Sequence, residues 1–325
     1  MQVFIGGHRL LTSQSLEAFR LERRGSSAEC TVLYTTSPSR PLAKLLVRAK
    51  APIIVAIDDP KDVVSFLVTG GLPLQTAMRD YMKSAATISA IASSASNVRV
   101  STPAYEMSIR AFLVEILSKC RLEIGRELLE GAIAAVIGDH PKHDAASVGD
   151  LICRDVPGAE LPTTCSALDF RSKALVDKIG RQYGAMLTGS DYSPVECPLA
   201  LYITDRGVYE PENPWLSMVG PARCILWGPY IHLPSGRWLA HLTVAVRENG
   251  SGNVLHIQIL RELSMGISAI AKLEAVGTFD CHLEFEIDDP LDRLEITFTL
   301  NEGAIEGDFR ILDLTFSKVV TAIEN

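Results

Sequence analysis

Hydrophobic and polar positions change period along this chain, and the change divides it. In the first half, apolar runs alternate with stretches of helical spacing. Pro52-Ile53-Ile54-Val55-Ala56-Ile57 is a short apolar run, the pattern of a strand covered on both faces. Asp58-Asp59-Pro60 ends it, with Asp59 placed to cap a helix and Pro60 suited to its first position. Val63, Val64, Phe66 and Leu67 then recur at helical spacing. Further strands are predicted at 2–5, 31–34 and 97–100, and helices at 41–48, 74–95, 107–120 and 124–137. One more helix is predicted over 167–186, with Phe170, Leu175 and Ile179 as its buried stripe. Strands alternating with helices predict a doubly wound parallel sheet, in which ligands sit at the carboxyl ends of the strands.

In the second half the period drops to two. Phe279, Cys281, Leu283, Phe285 and Ile287 alternate with Asp280, His282, Glu284, Glu286 and Asp288. Leu294, Ile296, Phe298 and Leu300 alternate with charged and threonine positions, as do Trp238, Ala240, Leu242, Val244 and Val246, and Leu312, Leu314 and Phe316 close the series. With further apolar segments at 199–204, 224–230, 254–260 and 267–276, about eight strands separated by turns predict an antiparallel β-sandwich of jelly-roll type. The fold class expected is therefore α/β plus all-β, with an α/β domain over 1–190 and a sandwich over 191–325, divided at the loop-like 188–194.

Length agrees, because 325 residues suit two domains. The net charge of −8 and the lack of a Lys/Arg cluster argue against nucleic acid as a partner. No apolar run reaches the length of a membrane span. The seven cysteines form no CxxC pair and no Cys/His ligand spacing, so no zinc site is indicated. Asp139-His140-Pro141-Lys142-His143-Asp144 suits a solvated turn better than a metal site. An odd cysteine count and an N-terminus unlike a signal peptide lead us to expect free thiols in the cytoplasm.

Candidate chemistry in the first half lies at two turns. The apolar start at Val3-Phe4-Ile5 runs into Gly6-Gly7-His8-Arg9-Leu10-Leu11-Thr12-Ser13, and a helix follows. A strand, a glycine turn and Thr/Ser before a helix form a layout that cradles phosphate, although a plain βα turn has the same outline. In order and spacing, roughly the first 140 residues resemble the sulfotransferases. The first loop falls where that family has its G-x-x-R-S-G-T-S, and Asp58-Asp59-Pro60-Lys61-Asp62-Val63-Val64-Ser65 falls where it has R-D-P-x-D-x-x-x-S. Tyr105-Glu106 matches a Tyr-Glu pair ending a later strand. The resemblance implies Arg9, Thr12, Ser13 and Ser65 as anion-binding residues, for the phosphates of 3′-phosphoadenosine 5′-phosphosulfate. The departures imply that binding of this donor is lost. Leu10-Leu11 replaces Ser-Gly, and Asp58 stands where the Arg that grips the 3′-phosphate would be, turning an attraction into a repulsion. No cofactor is expected, except this donor under an enzymatic reading.

In the second half, Trp227-Gly228-Pro229-Tyr230-Ile231-His232-Leu233-Pro234-Ser235-Gly236-Arg237-Trp238 resembles the GPY-x-x-L-x-x-G-x-Y turn of jelly rolls attached to bacterial sugar-processing enzymes. That resemblance implies carbohydrate binding. Sugar sites need flat aromatic faces with polar groups around them. Trp215, Tyr230, His232 and Arg237 are the candidates, with Trp227, Asp205 and Glu210 nearby in sequence or composition. Trp215 is the aromatic expected to be exposed, on the loop Pro211-Glu212-Asn213-Pro214. Trp238, in phase with Ala240 and Leu242, is expected in the core.

The function these features suggest is a glycan- or polysaccharide-associated binding protein, acting in surface polysaccharide assembly, with an inactive sulfotransferase-like domain. Its partner would be a carbohydrate, with a homo-oligomer also open. One rival is a divergent sulfotransferase acting on a sugar hydroxyl, which would need anion donors and a base. A structural or oligomerisation module is another.

Overall fold

The computed structural model describes residues 4–5, 8–23, 30–50, 52–92, 97–100, 105–138, 146–155, 168–188, 194–205, 207–210, 212, 214–261, 264–273 and 276–319. Two compact units divide the chain. The first takes Met1–Arg40, Met82–Ala90 and Arg181–Asn325, and the second Pro41–Tyr81 and Ile91–Gly180. In chain order the elements begin β1 (Phe4–Ile5), β2 (His8–Thr12), α1 (Leu16–Arg23), β3 (Cys30–Tyr34), α2 (Arg40–Arg48), β4 (Ile53–Ala56), α3 (Pro60–Thr69), α4 (Leu74–Ala92) and β5 (Asn97–Val100). Then come α5 (Ile109–Lys119), α6 (Arg126–Ile137), α7 (Val148–Asp155) and α8 (Phe170–Thr188).

In the second unit, β4 ends at the acidic turn as the sequence predicts. Asp59 caps α3, its Oδ1 accepting from the Lys61 amide at 2.8 Å, and Pro60 opens the helix. Ser108 caps α5 through the Ala111 amide at 3.2 Å. Ile109, Ile133, Ile137, Val148 and Leu151 pack as one apolar cluster between α5, α6 and α7. Helix α8 approaches α3 closely at Gly180, where a Cβ would lie 2.4 Å from the Pro60 ring, so this position has no room for a side chain.

The parallel pairing is more limited than the sequence predicts. β2 and β3 pair in parallel in one small sheet of the first unit, and β4 and β5 pair in parallel in another of the second. A doubly wound sheet is not present among the described residues. Burial gives the reason: of Ile53–Ala56 only Val55 is buried, and Ile54 is 51% exposed, so β4 is not covered on both faces. The loop expected after Gly6-Gly7 also differs. His8–Thr12 is a strand, antiparallel to β1 and parallel to β3, with Leu10 and Leu11 opposite Val32 and Leu33. An apolar Leu-Leu pair fits a strand ladder better than an anion cradle. Helix α8 carries its buried stripe on Val176, Ile179, Tyr183 and Met186, while Phe170, at its first position, is 86% exposed. The expected stripe was one residue out of phase at Leu175.

The first unit is dominated by two antiparallel sheets. The remaining strands are β6 (Val195–Glu196), β7 (Ile203–Thr204), β8 (Gly207–Val208), β9 (Leu216–Ser217), β10 (Arg223–Ile231), β11 (Gly236–Arg247), β12 (Val254–Arg261), β13 (Ser264–Lys272), β14 (Gly277–Ile287), β15 (Leu294–Leu300) and β16 (Asp308–Lys318). One sheet runs β13-β12-β15-β10-β7-β8 and the other β14-β11-β16-β6, with β9 beside β16. Their inner faces form a core in which Trp238, Phe298, Phe309 and Phe316 are fully buried. The rings of Phe298 and Phe309, one from each sheet, stack with centroids 5.8 Å apart. This is the β-sandwich expected from the alternation. Leu312 departs from that pattern and is 44% exposed. The register jumps from Thr243↔Asp313 to Val244↔Ile311, so Leu312 is the extra residue of a bulge.

Two further contacts hold the first unit. The Arg40 amide donates to both carboxylate oxygens of Asp289 (3.4 and 3.3 Å), and its guanidinium donates to the Asp288 carbonyl at 2.7 Å. The turn 249–253 is latched to the loop before β16. Asn253 Nδ2 donates to Asn249 Oδ1 (2.6 Å) and to the Glu306 carbonyl (2.8 Å). Gly307, at φ +103°, lies where a Cβ would meet the Met218 side chain at 2.5 Å. The expected boundary loop at 189–193 and the segment 139–145 lie outside the described residues.

Candidate functional site

Pairing register defines what the outer face of the six-stranded sheet presents. Ile203, Trp227, Thr297, Gln258 and Ser268 form one row across β7, β10, β15, β12 and β13. Cys224, Thr299, His256 and Ile270 form the next. The neighbouring positions Leu226, Phe298 and Ile257 point into the core and are buried. Trp227 is half-buried, as are Gln258 and His256, and Ile270 is 69% exposed. Thr297 lies between Trp227 and Gln258 at 7% exposure, and its hydroxyl has no hydrogen-bond partner among the described residues. Such an orphan leaves about 1–3 kcal/mol uncompensated. Farther along β15, Glu295 Oε1 accepts from the Tyr230 hydroxyl at 2.9 Å, and the Arg293 guanidinium carbon sits 4.8 Å from the centre of the Tyr230 ring. Gly228 makes this strand possible next to Tyr202. Its φ is +131°, and a Cβ would lie 3.2 Å from the Tyr202 Cα.

The four residues singled out for carbohydrate do not converge. Tyr230 lies at the edge of the face just described. His232 is 6% exposed, and its Nδ1–H donates to the Pro290 carbonyl at 3.0 Å. Since a carbonyl only accepts, Nδ1 carries the proton of the neutral ring. Burial, first, and the nearby Lys83 and Arg293 charges lower its pKa to about 4, against the raising effect of the hydrogen bond and Asp292. Arg237 is exposed on the outer face of the other sheet and pairs with Glu284. Trp215, just before β9, is half-buried, with the guanidinium carbons of Arg247, ten positions along β11 from Arg237, and of Arg310 at 4.2 and 4.7 Å from its ring centre. Asp205 pairs with Arg223 at 2.8 Å.

The anion candidates are likewise dispersed. Ser13 is buried, and its hydroxyl donates to the Ser15 carbonyl at 3.0 Å, while Ser15 Oγ accepts from the Ala18 amide at the start of α1. The backbones of Arg9 and Thr12 lie in β2, and their side chains are outside the described set. Ser65 belongs to the other unit, on α3, 5% exposed with no partner for its hydroxyl among the described residues. At the end of β4, Asp58 Oδ2 accepts from the Tyr105 hydroxyl at 2.6 Å. Burial, that hydrogen bond and the charges of Asp58 and Asp62 push the Tyr105 phenol well up, so it stays a protonated donor. Sequence reasoning missed Thr297, Glu295 and Arg310. Each is a polar residue at an outward position of an alternating strand, and only the register of distant strands shows what stands beside it.

No protein-family model matches the chain, and no curated protein matches it. Solved structures with some likeness include TmCBM61 in complex with β-1,4-galactotriose, at 15% identity over 32% of this chain and 69% of that one, TM-score 0.24. Another is the xylan-binding module CBM15, at 14% identity over 40% and 99%, TM-score 0.31. A third is a family 16 carbohydrate-binding module, at 11% identity over 32% and 74%, TM-score 0.25. Likenesses this distant carry no argument about the site, which stands on its own geometry.

Among the described residues, no helix is long and apolar enough to cross a membrane, and no cluster of His, Cys, Asp and Glu could hold a metal ion.

Proposed function

We propose that the protein is a glycan-binding protein that holds saccharide on the outer face of the six-stranded sheet, around Trp227. The observation that carries this reading is Trp227 with Thr297 beside it, a half-buried ring next to a buried hydroxyl that lacks a partner. A sugar C–H face stacks on such a ring, and a sugar hydroxyl completes such a threonine. Gln258, His256 and Glu295 supply further polar groups along the same face. Trp227→Ala is expected to weaken binding of the best ligand on a polysaccharide array by about fivefold or more, since one stacked ring is worth roughly 1 kcal/mol or above. The melting temperature should stay near that of the wild type. Undiminished binding by Trp227→Ala would overturn this site, and a wild type that binds no glycan would overturn the function.

We read the turn after β4 as unsuited to a sulfuryl donor. Asp58 and Asp59 place carboxylates where a 3′-phosphate would need cations, and Tyr105 already occupies Asp58. Calorimetric titration with 3′,5′-adenosine bisphosphate should therefore show no binding. Micromolar binding abolished by Ser65→Ala would restore the transferase reading.

A further inference from the structure

On the outer face of the other sheet, at its β9 edge, two arginines lie against one tryptophan ring. Trp215 precedes Leu216, which pairs with Phe309, so Trp215 lies level with Arg310 across β9 and β16. On the far side Arg310 is opposite Ala245 of β11, whose small side chain leaves the space above it to the larger neighbours. Two positions along, on the same face, Arg247 is opposite Asp308. Both guanidinium groups lie against the Trp215 ring, Arg247 at 4.2 Å and Arg310 at 4.7 Å. Their charges are not balanced alike. Arg247 Nε and Nη2 both donate to Asp308 Oδ2, at 3.0 and 2.9 Å. Arg310 pairs with no carboxylate among the described residues, and its Nε is enclosed without a hydrogen-bond partner. Its charge reaches the Tyr209 phenol, where it opposes the upward effect of burial. The group of two arginines and one aspartate thus keeps one uncompensated positive charge, in a chain of net charge −8.

We infer that Arg310, held against the Trp215 ring, is a binding site for the oxyanion of an acidic saccharide, a carboxylate or a sulfate ester. Contact with the ring restrains a guanidinium without using its N–H groups, and with Nε enclosed the two Nη groups are left as the fork for two oxygens. Arg247 cannot take that part while its donors hold Asp308. The Tyr209 hydroxyl donates to the Pro214 carbonyl at 3.2 Å and helps keep the Trp215 segment in place. This site is on a different sheet from Trp227, so it stands or falls separately from the neutral-sugar face proposed above.

The test is calorimetry on the full chain with three oligosaccharides of equal length: oligogalacturonate, a sulfated galactan fragment and neutral galactan. Wild type should bind one or both acidic forms, and more tightly than the neutral one. Preference for galacturonate assigns a carboxylate, and preference for the sulfated form a sulfate ester. Affinity should fall as salt rises to about 0.5 M, since the contact is ionic. Arg310→Met keeps the packing and removes the charge, so it should weaken acidic binding about tenfold or more. Equal binding of neutral and acidic forms, no salt dependence, no binding of either acidic form, or full affinity in a folded Arg310→Met would each overturn the proposal. Arg310→Gln, read in the same assay, should weaken acidic binding likewise and decides the matter should Arg310→Met fail to fold.

Discussion

Trp238→Ala should be the most damaging single substitution in the sandwich, lowering stability by about 3–5 kcal/mol. The ring is 0% exposed, the largest fully buried side chain in the protein, and lies in the middle strand of three, between Phe285 of β14 and Lys318 of β16. Its truncation leaves a cavity between layers that close packing elsewhere keeps from collapsing. It also leaves the Pro234 carbonyl, which now accepts from the indole Nε1–H at 2.9 Å, without that donor. At about 2–4 °C per kcal/mol, the melting temperature of the first unit should drop by roughly 6–20 °C. Differential scanning calorimetry measures it. A melting temperature within about 2 °C of wild type would mean that the core does not depend on this ring.

Acid should weaken the same unit through His232. The folded state holds the ring neutral down to about pH 4, while an unfolded chain protonates it near pH 6.5. Between those values the unfolded state binds the extra proton, so stability is fully present above about pH 6.5 and is lost as pH falls toward 4. A difference of this size corresponds to about 3 kcal/mol. Below about pH 4 the contribution levels off, because the folded ring then protonates too. Urea unfolding at a series of pH values reads the slope. His232→Asn keeps a donor near the Pro290 carbonyl and removes the titration, so its stability should change less than wild type over this window. Surface carboxylates contribute to both proteins and cancel in the difference. Equal slopes would show that His232 does not carry the effect.

What the sequence made legible follows from how local the cause is. The cap at Asp59, the placement of Pro60 and the buried face of Trp238 depend on neighbours within a few positions, and all three are found as expected. Period-two alternation likewise announced the sandwich strands. Errors came where a distant partner decides. Leu10-Leu11 became strand because β3 is available beside it. Leu312 left the core because β11 and β16 slip by one residue. Trp215 acquired two arginines from strands more than thirty and ninety positions away. The candidate site was legible only in part for the same reason. Trp227 and Tyr230 are visible as aromatics in a motif, but Thr297 becomes a neighbour of Trp227 only through pairing across seventy positions.

The bonds from Arg40 to Asp288 and Asp289 span 248 and 249 positions, and they bear on the order in which the protein is made. At about 5–20 residues per second of synthesis, the carboxylates follow the arginine by roughly 12–50 s. All of Pro41–Tyr81 and Ile91–Gly180 emerges in that interval. The second unit can therefore complete its local helical contacts on the ribosome while the strands around Arg40 still wait for theirs. A nascent chain arrested before Asp288 would carry a finished second unit and an open first one, and protease pulses during translation should digest the two at different times.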